Sequence, residues 1–335
     1  MTTVQARAAR DTGSLAPRTG GHRLDDGHPH DDGDEAPLWP PLTTSLSLAG
    51  QAVLLATDGS DEAAAATRFA LALSLQKHVA VNALGVTDTR FACVSPPLDL
   101  PLQDDGPALA QVAQEKVGET ITSVLGHAVD WPVNLVFGEP SHAIAAEAAA
   151  RHAAMVVLGL RPRGRLQRAF HVEAILQVSM LASCPVIGVD ADTRELPSRI
   201  LVALDFGRAS LEAARAARSL LAPGGVLILA YVAPQSFYET GDGEKLIHDL
   251  GVQRALAALA HELDSKGATI RQVVLEHERP ATVGSTLLAF AARENVDLIA
   301  AGSVHHGLLD RWMLGSVSTD LVHDAACSIL IMPPR

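Results

Sequence analysis

The sequence predicts an α/β fold: two tandem, doubly wound parallel-sheet domains of Rossmann-like type, packed as a pseudo-twofold pair. Three observations predict it. Short aliphatic runs alternate along the chain with helix-length segments, the order of βαβ units with right-handed crossovers. From Arg199 onward the second half repeats the order of the first. Hydrophobic residues fill 48% of the 335 positions and charged residues 19%, enough apolar material for two cores of ordinary size.

Residues 1–48 stand apart. Gly, Pro, Asp, Ser, Thr and His dominate there and periodic apolar residues are missing, the composition of a disordered tail. His22, His28 and His30 lie among Asp25, Asp26, Asp31, Asp32 and Asp34. Imidazole and carboxylate suit zinc or nickel, but a solvated acidic tail needs no metal. Gathering ligands on a disordered chain costs entropy, so no metal is assigned.

The first domain is set at 49–190. Ala52-Val53-Leu54-Leu55-Ala56 is a buried strand, and Thr57-Asp58-Gly59-Ser60 leads into a helix running to about Lys77. A strand over 79–86 follows. Pro96, Pro97, Pro101, Gly106 and Pro107 make 87–107 a surface loop, and a helix runs from about Ala108 to Gly126. Next come a strand over 132–137, the turn Gly138-Glu139-Pro140 and a helix to about Arg151. The strand 155–158 leads to Gly159, a helix covers about 173–183, and the strand 186–189 closes the domain. Residues 190–197 are the linker.

The second domain is set at 198–335. Its strand 200–204 ends at Asp205 and its strand 226–231 ends at Val232. Leu256, Leu259, Ala260 and Leu263 mark a long helix before Lys266-Gly267, a C-cap signal. Leu298-Ile299-Ala300-Ala301 is a buried strand. Val317, Leu321 and Ala325, at i, i+4 and i+8, form the stripe of a helix with Ser316 as its N-cap. In the repeat Asp58 matches Asp205, Val86 matches Val232, Pro140 matches Pro280 and Gly159 matches Gly302. Ala182-Ser183-Cys184 matches Ala325-Ala326-Cys327. The final strands, 186–189 and 329–332, are apolar edges, and each is expected to cover the other.

A net charge of −12 argues against a nucleic-acid surface. Cys93, Cys184 and Cys327 are widely spaced and form no metal-ligand pattern, and the last two read as core residues of a reduced compartment. No run of about 18 apolar residues suits a membrane, and no signal-peptide segment opens the chain. The expected location is the cytoplasm.

Between the last strand and helix of the repeat lies Gly302-Ser303-Val304-His305-His306-Gly307, then 308–314, then Gly315-Ser316-Val317-Ser318. A helix start offers unpaired N–H groups, a positive dipole end and hydroxyls, which suit a phosphate chain. Open parallel sheets take ligands beyond the carboxyl ends of their strands, where strand order reverses. The loop resembles the nucleotide loop of the universal stress protein family: glycine, two residues, glycine, nine residues, then Gly-Ser or Gly-Thr. Gly302 and Gly315-Ser316 fall on that pattern, and His305 stands at the second glycine.

The resemblance covers about residues 50–335. It implies an adenine-nucleotide α-hydrolase-like fold, with ATP, carried with Mg²⁺, in the second domain. It places Asp205 at the ribose, backbone groups near Val232 at the adenine, and Gly302, His305, Gly315, Ser316, Val317 and Ser318 around the phosphates. Ala203, Ser303, His306 and Gly307 complete the candidate set. The His305 side chain either crowds the phosphates or donates to them, and His306 offers a weak positive partner. A plain surface loop or a metal-binding pair remain alternatives for the two histidines.

The first domain keeps Asp58 but not the loop. Pro162 takes the second glycine position and Val172-Glu173 replace Gly-Ser, so an N–H is lost and bulk and negative charge arrive. ATP bound in the family's manner is not expected there. Arg161, Arg163, Arg165 and Arg168 offer another phosphate route, a dock for an acidic partner, or a solvated loop. No Gly-x-Ser-x-Gly elbow and no evident base mark an enzyme, so no catalytic residue is assigned beyond slow ATP hydrolysis. The resemblance implies a stress-response protein regulated by nucleotide and acting through an unidentified protein partner, with a homodimer of tandem chains conceivable. The rival reading is a nucleotide-free adaptor with both pockets vestigial.

Overall fold

Aliphatic runs that are apolar on both faces have to sit between two helical layers, and here they join one ten-stranded sheet. The computed structural model describes residues 48, 51–58, 63–87, 106–160, 168–233, 242–264, 268–276, 280–303 and 315–333. The strands of the first half are β1 (Ala52–Ala56), β2 (Ala80–Thr87), β3 (Val133–Phe137), β4 (Met155–Gly159) and β5 (Val186–Val189). Those of the second are β6 (Arg199–Leu204), β7 (Val226–Ala233), β8 (Thr269–Glu276), β9 (Leu298–Gly302) and β10 (Ser328–Met332).

Their order across the sheet is β3-β2-β1-β4-β5-β10-β9-β6-β7-β8. Each half therefore has the same doubly wound order, reversing between β1 and β4 in one and between β6 and β9 in the other. Pairing is parallel except at the centre, where β5 and β10 run antiparallel with Gly188 opposite Ile329, Ile187 opposite Leu330 and Val186 opposite Ile331. The two final strands meet as expected, and the junction of the pseudo-twofold pair is a hydrogen-bonded ladder.

The helices are α1 (Ala64–Lys77), α2 (Gly106–Leu125), α3 (Pro140–Ala150), α4 (Arg168–Leu181), α5 (Arg208–Leu220), α6 (Asp242–Leu263), α7 (Val283–Glu294) and α8 (Ser316–Asp324). On the α3, α4, α7 and α8 side one core crosses the junction, from Leu54, Val156 and Ile175 through Val186 and Ile331 to Leu321 and Phe290. Across that junction α4 packs against α8. A smaller cluster of Ala83, Val117 and Ile121 lies under α2. Lys77, at the end of α1, donates from Nζ to the Leu221 carbonyl at 2.8 Å, joining the two halves. Burial, and then the nearby Arg218, hold the Lys77 pKa below the usual lysine range.

Several elements differ from the expectations. Helix α4 starts at Arg168, a full turn before the expected start, because Arg168-Ala169-Phe170-His171-Val172 contains nothing that stops a helix. The N-cap of α8 is Gly315, and Ser316 is its first helical residue with no side-chain cap in place. Strand β7 continues to Ala233, so Val232 is a strand residue paired with Leu275. Helix α3 begins at Pro140 and α7 at Val283, which makes Val283, not Pro280, the counterpart of Pro140. The histidine- and aspartate-rich tail, Cys93, Arg161, Arg163, Arg165, Lys266-Gly267, and the His305-His306-Gly307 stretch lie outside the described residues. Among the described residues no helix is long and apolar enough to cross a membrane.

Candidate functional site

Asp205 follows the last residue of β6 and opens the turn into α5. Its Oδ1 accepts the Gly207 N–H at 2.8 Å and the Ser210 hydroxyl at 2.6 Å, so the carboxylate is fixed at the helix start. The turn is strained. Phe206 has φ +59°, a left-handed conformation that a bulky side chain rarely adopts. The Phe206 ring stacks on Tyr231 with centroids 5.4 Å apart and ring planes 28° apart. The Tyr231 hydroxyl lies 3.3 Å from His248 Nε2 on α6. Burial, and then the charge of Asp205, push the Tyr231 pKa above the usual phenol range.

Gly302 ends β9 beneath the first turn of α5. A Cβ there would lie 2.5 Å from Ala209 C and Ser210 N, so only glycine lets the helix start sit this close. Ser318, in the first turn of α8, is 2% exposed and donates its hydroxyl to the Gly302 carbonyl at 3.1 Å. Ser303 turns the other way: its N–H and its hydroxyl both donate to the Met332 carbonyl, at 2.8 and 3.1 Å. Helix α7 is capped by Thr282, which accepts the Ser285 N–H at 3.0 Å and donates to Asp320 Oδ2 on α8 at 3.2 Å. Gly284 allows that approach, since a Cβ would lie 2.6 Å from Asp320 Cβ.

These elements enclose a cleft of about 310 Å³ at the β6/β9 reversal point. Of the expected set, Ala203, Asp205, Val232, Gly302, Gly315, Ser316, Val317 and Ser318 line it, while Ser303 is not among the lining residues. His305, His306 and Gly307 fall outside the described residues. Sequence reasoning missed Tyr231, Ser210, Val283, Leu287 and Ala301, which also line the cleft. The apolar stripe of α7 was the signal that could have found Leu287.

The first domain has a counterpart cleft of about 250 Å³, lined by Ala56, Asp58, Val86, Pro140, Ile144, Leu158, Gly159 and Ile175 among others. Counting from Gly159 and Gly302, Ile175 stands where Ser318 stands, and Leu158 where Ala301 stands. The positions of Gly315 and Ser316 are taken by Val172 and Glu173, which lie inside α4. Amides at the fifth and sixth positions of a helix are already bonded along its axis, so no open N–H groups face this cleft there.

A larger cavity, about 420 Å³, follows the linker between the halves. Its polar groups serve the linker. Asp297 Oδ2 accepts from Ser198 N, Ser198 Oγ and Arg199 N at 2.9, 2.8 and 2.9 Å, and Ser328 Oγ accepts the Asp190 N–H at 3.1 Å. Among the described residues no three His, Cys, Asp or Glu side chains are grouped to hold a metal ion.

Comparison with known proteins gives a consistent result. The model of the Universal stress protein family matches the chain twice, over residues 51–189 and 197–333. Universal stress protein MJ0531 of Methanocaldococcus jannaschii is 26% identical over 147 residues, 43% of this chain and 84% of that protein. A universal stress protein structure from Archaeoglobus fulgidus superposes with a TM-score of 0.60 at 19% identity, covering 86% of this chain and 98% of its own. A putative universal stress protein from Pseudomonas aeruginosa gives 0.53 at 17% identity, covering 86% and 95%. Two family matches in sequence, a doubly wound sheet repeated in each half and a cleft at each reversal point lead to one conclusion: the chain belongs to the universal stress protein family, as a tandem of two of its domains.

Proposed function

We propose that the second domain binds ATP, or a related adenine nucleotide, as a regulatory ligand. One observation carries the reading: the β6/β9 cleft has an anchored carboxylate, Asp205, on one rim and an uncapped helix start, Gly315-Ser316, on the other. The carboxylate suits ribose hydroxyls, and the open amides of α8 suit phosphate. Ala203, Ala230, Val232 and Leu287 give the apolar slot that a purine ring needs. Among the described residues no three His, Cys, Asp or Glu side chains are grouped to hold a metal ion, so Mg²⁺ would arrive with the phosphates. Binding would act in the stress response by changing the protein's partners.

A second reading has its own support. Ser318 already donates to Gly302, and Gly302 is already required by the close approach of α5, so both hallmarks have reasons independent of a ligand. On that reading the protein is a nucleotide-free adaptor. Calorimetry with Mg-ATP separates the two. Heat that saturates supports the first; no heat and no thermal shift at millimolar nucleotide leaves the second.

A further inference from the structure

The two ends of the sheet are built differently. Among the described residues no strand lies beyond β8, and all eight of its residues, Thr269–Glu276, are paired on the β7 side. Natural sheet edges are blunted by shortness, proline or charge. Strand β3 has five residues, whereas β8 is long, and its one internal charge, Arg271, is bonded to Glu294 Oε2 at 2.7 Å. Val274 is 42% exposed. It pairs with Tyr231, whose hydroxyl meets His248 on α6, so by alternation Ile270, Gln272 and Val274 share the α6 face. Helix α6 carries two apolar stripes. Val252, Leu256, Leu259 and Leu263 are buried; Leu246 and Leu250, 60% and 57% exposed, continue through the exposed Ala257 to Ala260 on another side.

We propose that this end is the interface with a second copy of the chain, formed by a twofold that pairs β8 with β8 and α6 with α6, both antiparallel. It would extend the sheet as the antiparallel β5/β10 ladder already joins the two halves. Each element is self-complementary. A twofold normal to the sheet sets one residue of β8 opposite its own copy. Centred on Gln272, it puts Ile270 against Val274 of the partner subunit, twice, and β-branched pairs of this kind suit neighbouring strands. In the exposed stripe of α6 the leucines lie in the first half and the alanines in the second. An antiparallel pair centred near Gln253 therefore sets large side chains against small ones. The two centres fall at one level. Gln253 is five residues, about 7.5 Å, beyond His248 along α6. Gln272 is two residues, about 6.6 Å, back from Val274 along the oppositely directed β8. An unrelated peptide added to β8 would leave the α6 stripe without its match.

Sedimentation of the full chain at about 100 μM, far above the dissociation constant of a stable dimer, should give about twice the 35.1 kDa chain mass. Val274→Lys and Leu250→Glu, both at exposed positions, should each weaken the dimer at least about tenfold. Circular dichroism and the melting midpoint of the single chain should stay unchanged. Gln272→Cys should give a chain-to-chain disulfide under mild oxidation, a band absent from the unmodified chain. Residues on the twofold have Cα atoms about 4.5–5.5 Å apart, within disulfide reach. Asn134→Cys, on the β3 edge, should give none. A single chain at this concentration overturns the proposal. So does a dimer that survives both substitutions, or one cross-linked by Asn134→Cys and not by Gln272→Cys.

Discussion

The hydroxyl of Ser318 donates to the carbonyl of Gly302 at 3.1 Å, tying the first turn of α8 to the end of β9. The bond spans the two ends of the glycine-punctuated loop, and both residues line the cleft. Ser318→Ala leaves the Gly302 carbonyl without that donor, so unfolding free energy should fall by about 1 kcal/mol. Urea denaturation followed by circular dichroism measures it. Mg-ATP affinity should fall with it, because the helix start is no longer pinned to the strand.

Gly302 itself tolerates no Cβ. With Ala209 C and Ser210 N at 2.5 Å from the position a Cβ would take, Gly302→Ala has to push the start of α5 away. The expected cost is about 1–3 kcal/mol, the range for overpacking a well-filled interior. A midpoint in urea unchanged by the substitution would contradict the packing.

Asp205→Ala should weaken Mg-ATP binding by about 1.5–3 kcal/mol, whereas Asp58→Ala should leave it unchanged. His305→Gly, which restores the family spacing, is expected to tighten Mg-ATP binding, since the resemblance implies a glycine where the backbone approaches the phosphates. Calorimetric titrations of the three variants against Mg-ATP check both statements.

Tyr231 reports on the charge of Asp205. Its pKa is raised by burial first and by Asp205 second, so the neutral phenol stabilises the fold below pH about 10, its unfolded value. That contribution is lost as pH rises through the higher folded value. The chain has two tyrosines, so in a Tyr238→Phe background near-ultraviolet absorbance follows Tyr231 alone. Asp205→Asn should move its ionisation to lower pH. No movement would mean that the carboxylate and the phenol do not sense each other.

Much of the fold was legible because its signals are local and repeated. The aliphatic runs at Val53–Ala56 and Leu298–Ala301 have one use, a strand buried on both faces, and the apolar edges 186–189 and 329–332 needed covering. The start of α4 was not legible from its twin. Gly315 stops α8 from extending backward, but the matching Val172 does not, and a helix lacking a stop continues. The site was half legible. Asp205 and Gly315-Ser316 were found by spacing, yet spacing cannot tell which way a hydroxyl turns. Ser318 proves to face Gly302 and Ser303 to face Met332. Tyr231 was missed because its strand reads as uniformly apolar, and its partners Phe206 and His248 come from elements distant in sequence.

The two clefts are unequal, and on the proposed function only the second holds a nucleotide. Isothermal titration of Mg-ATP into the full chain tests it most directly. One saturable site per chain is expected, unchanged by Asp58→Ala and abolished by Gly315→Val, whose branched side chain fills the approach to the α8 amides. Two sites per chain, no site, or binding lost with Asp58→Ala and kept with Gly315→Val would contradict it.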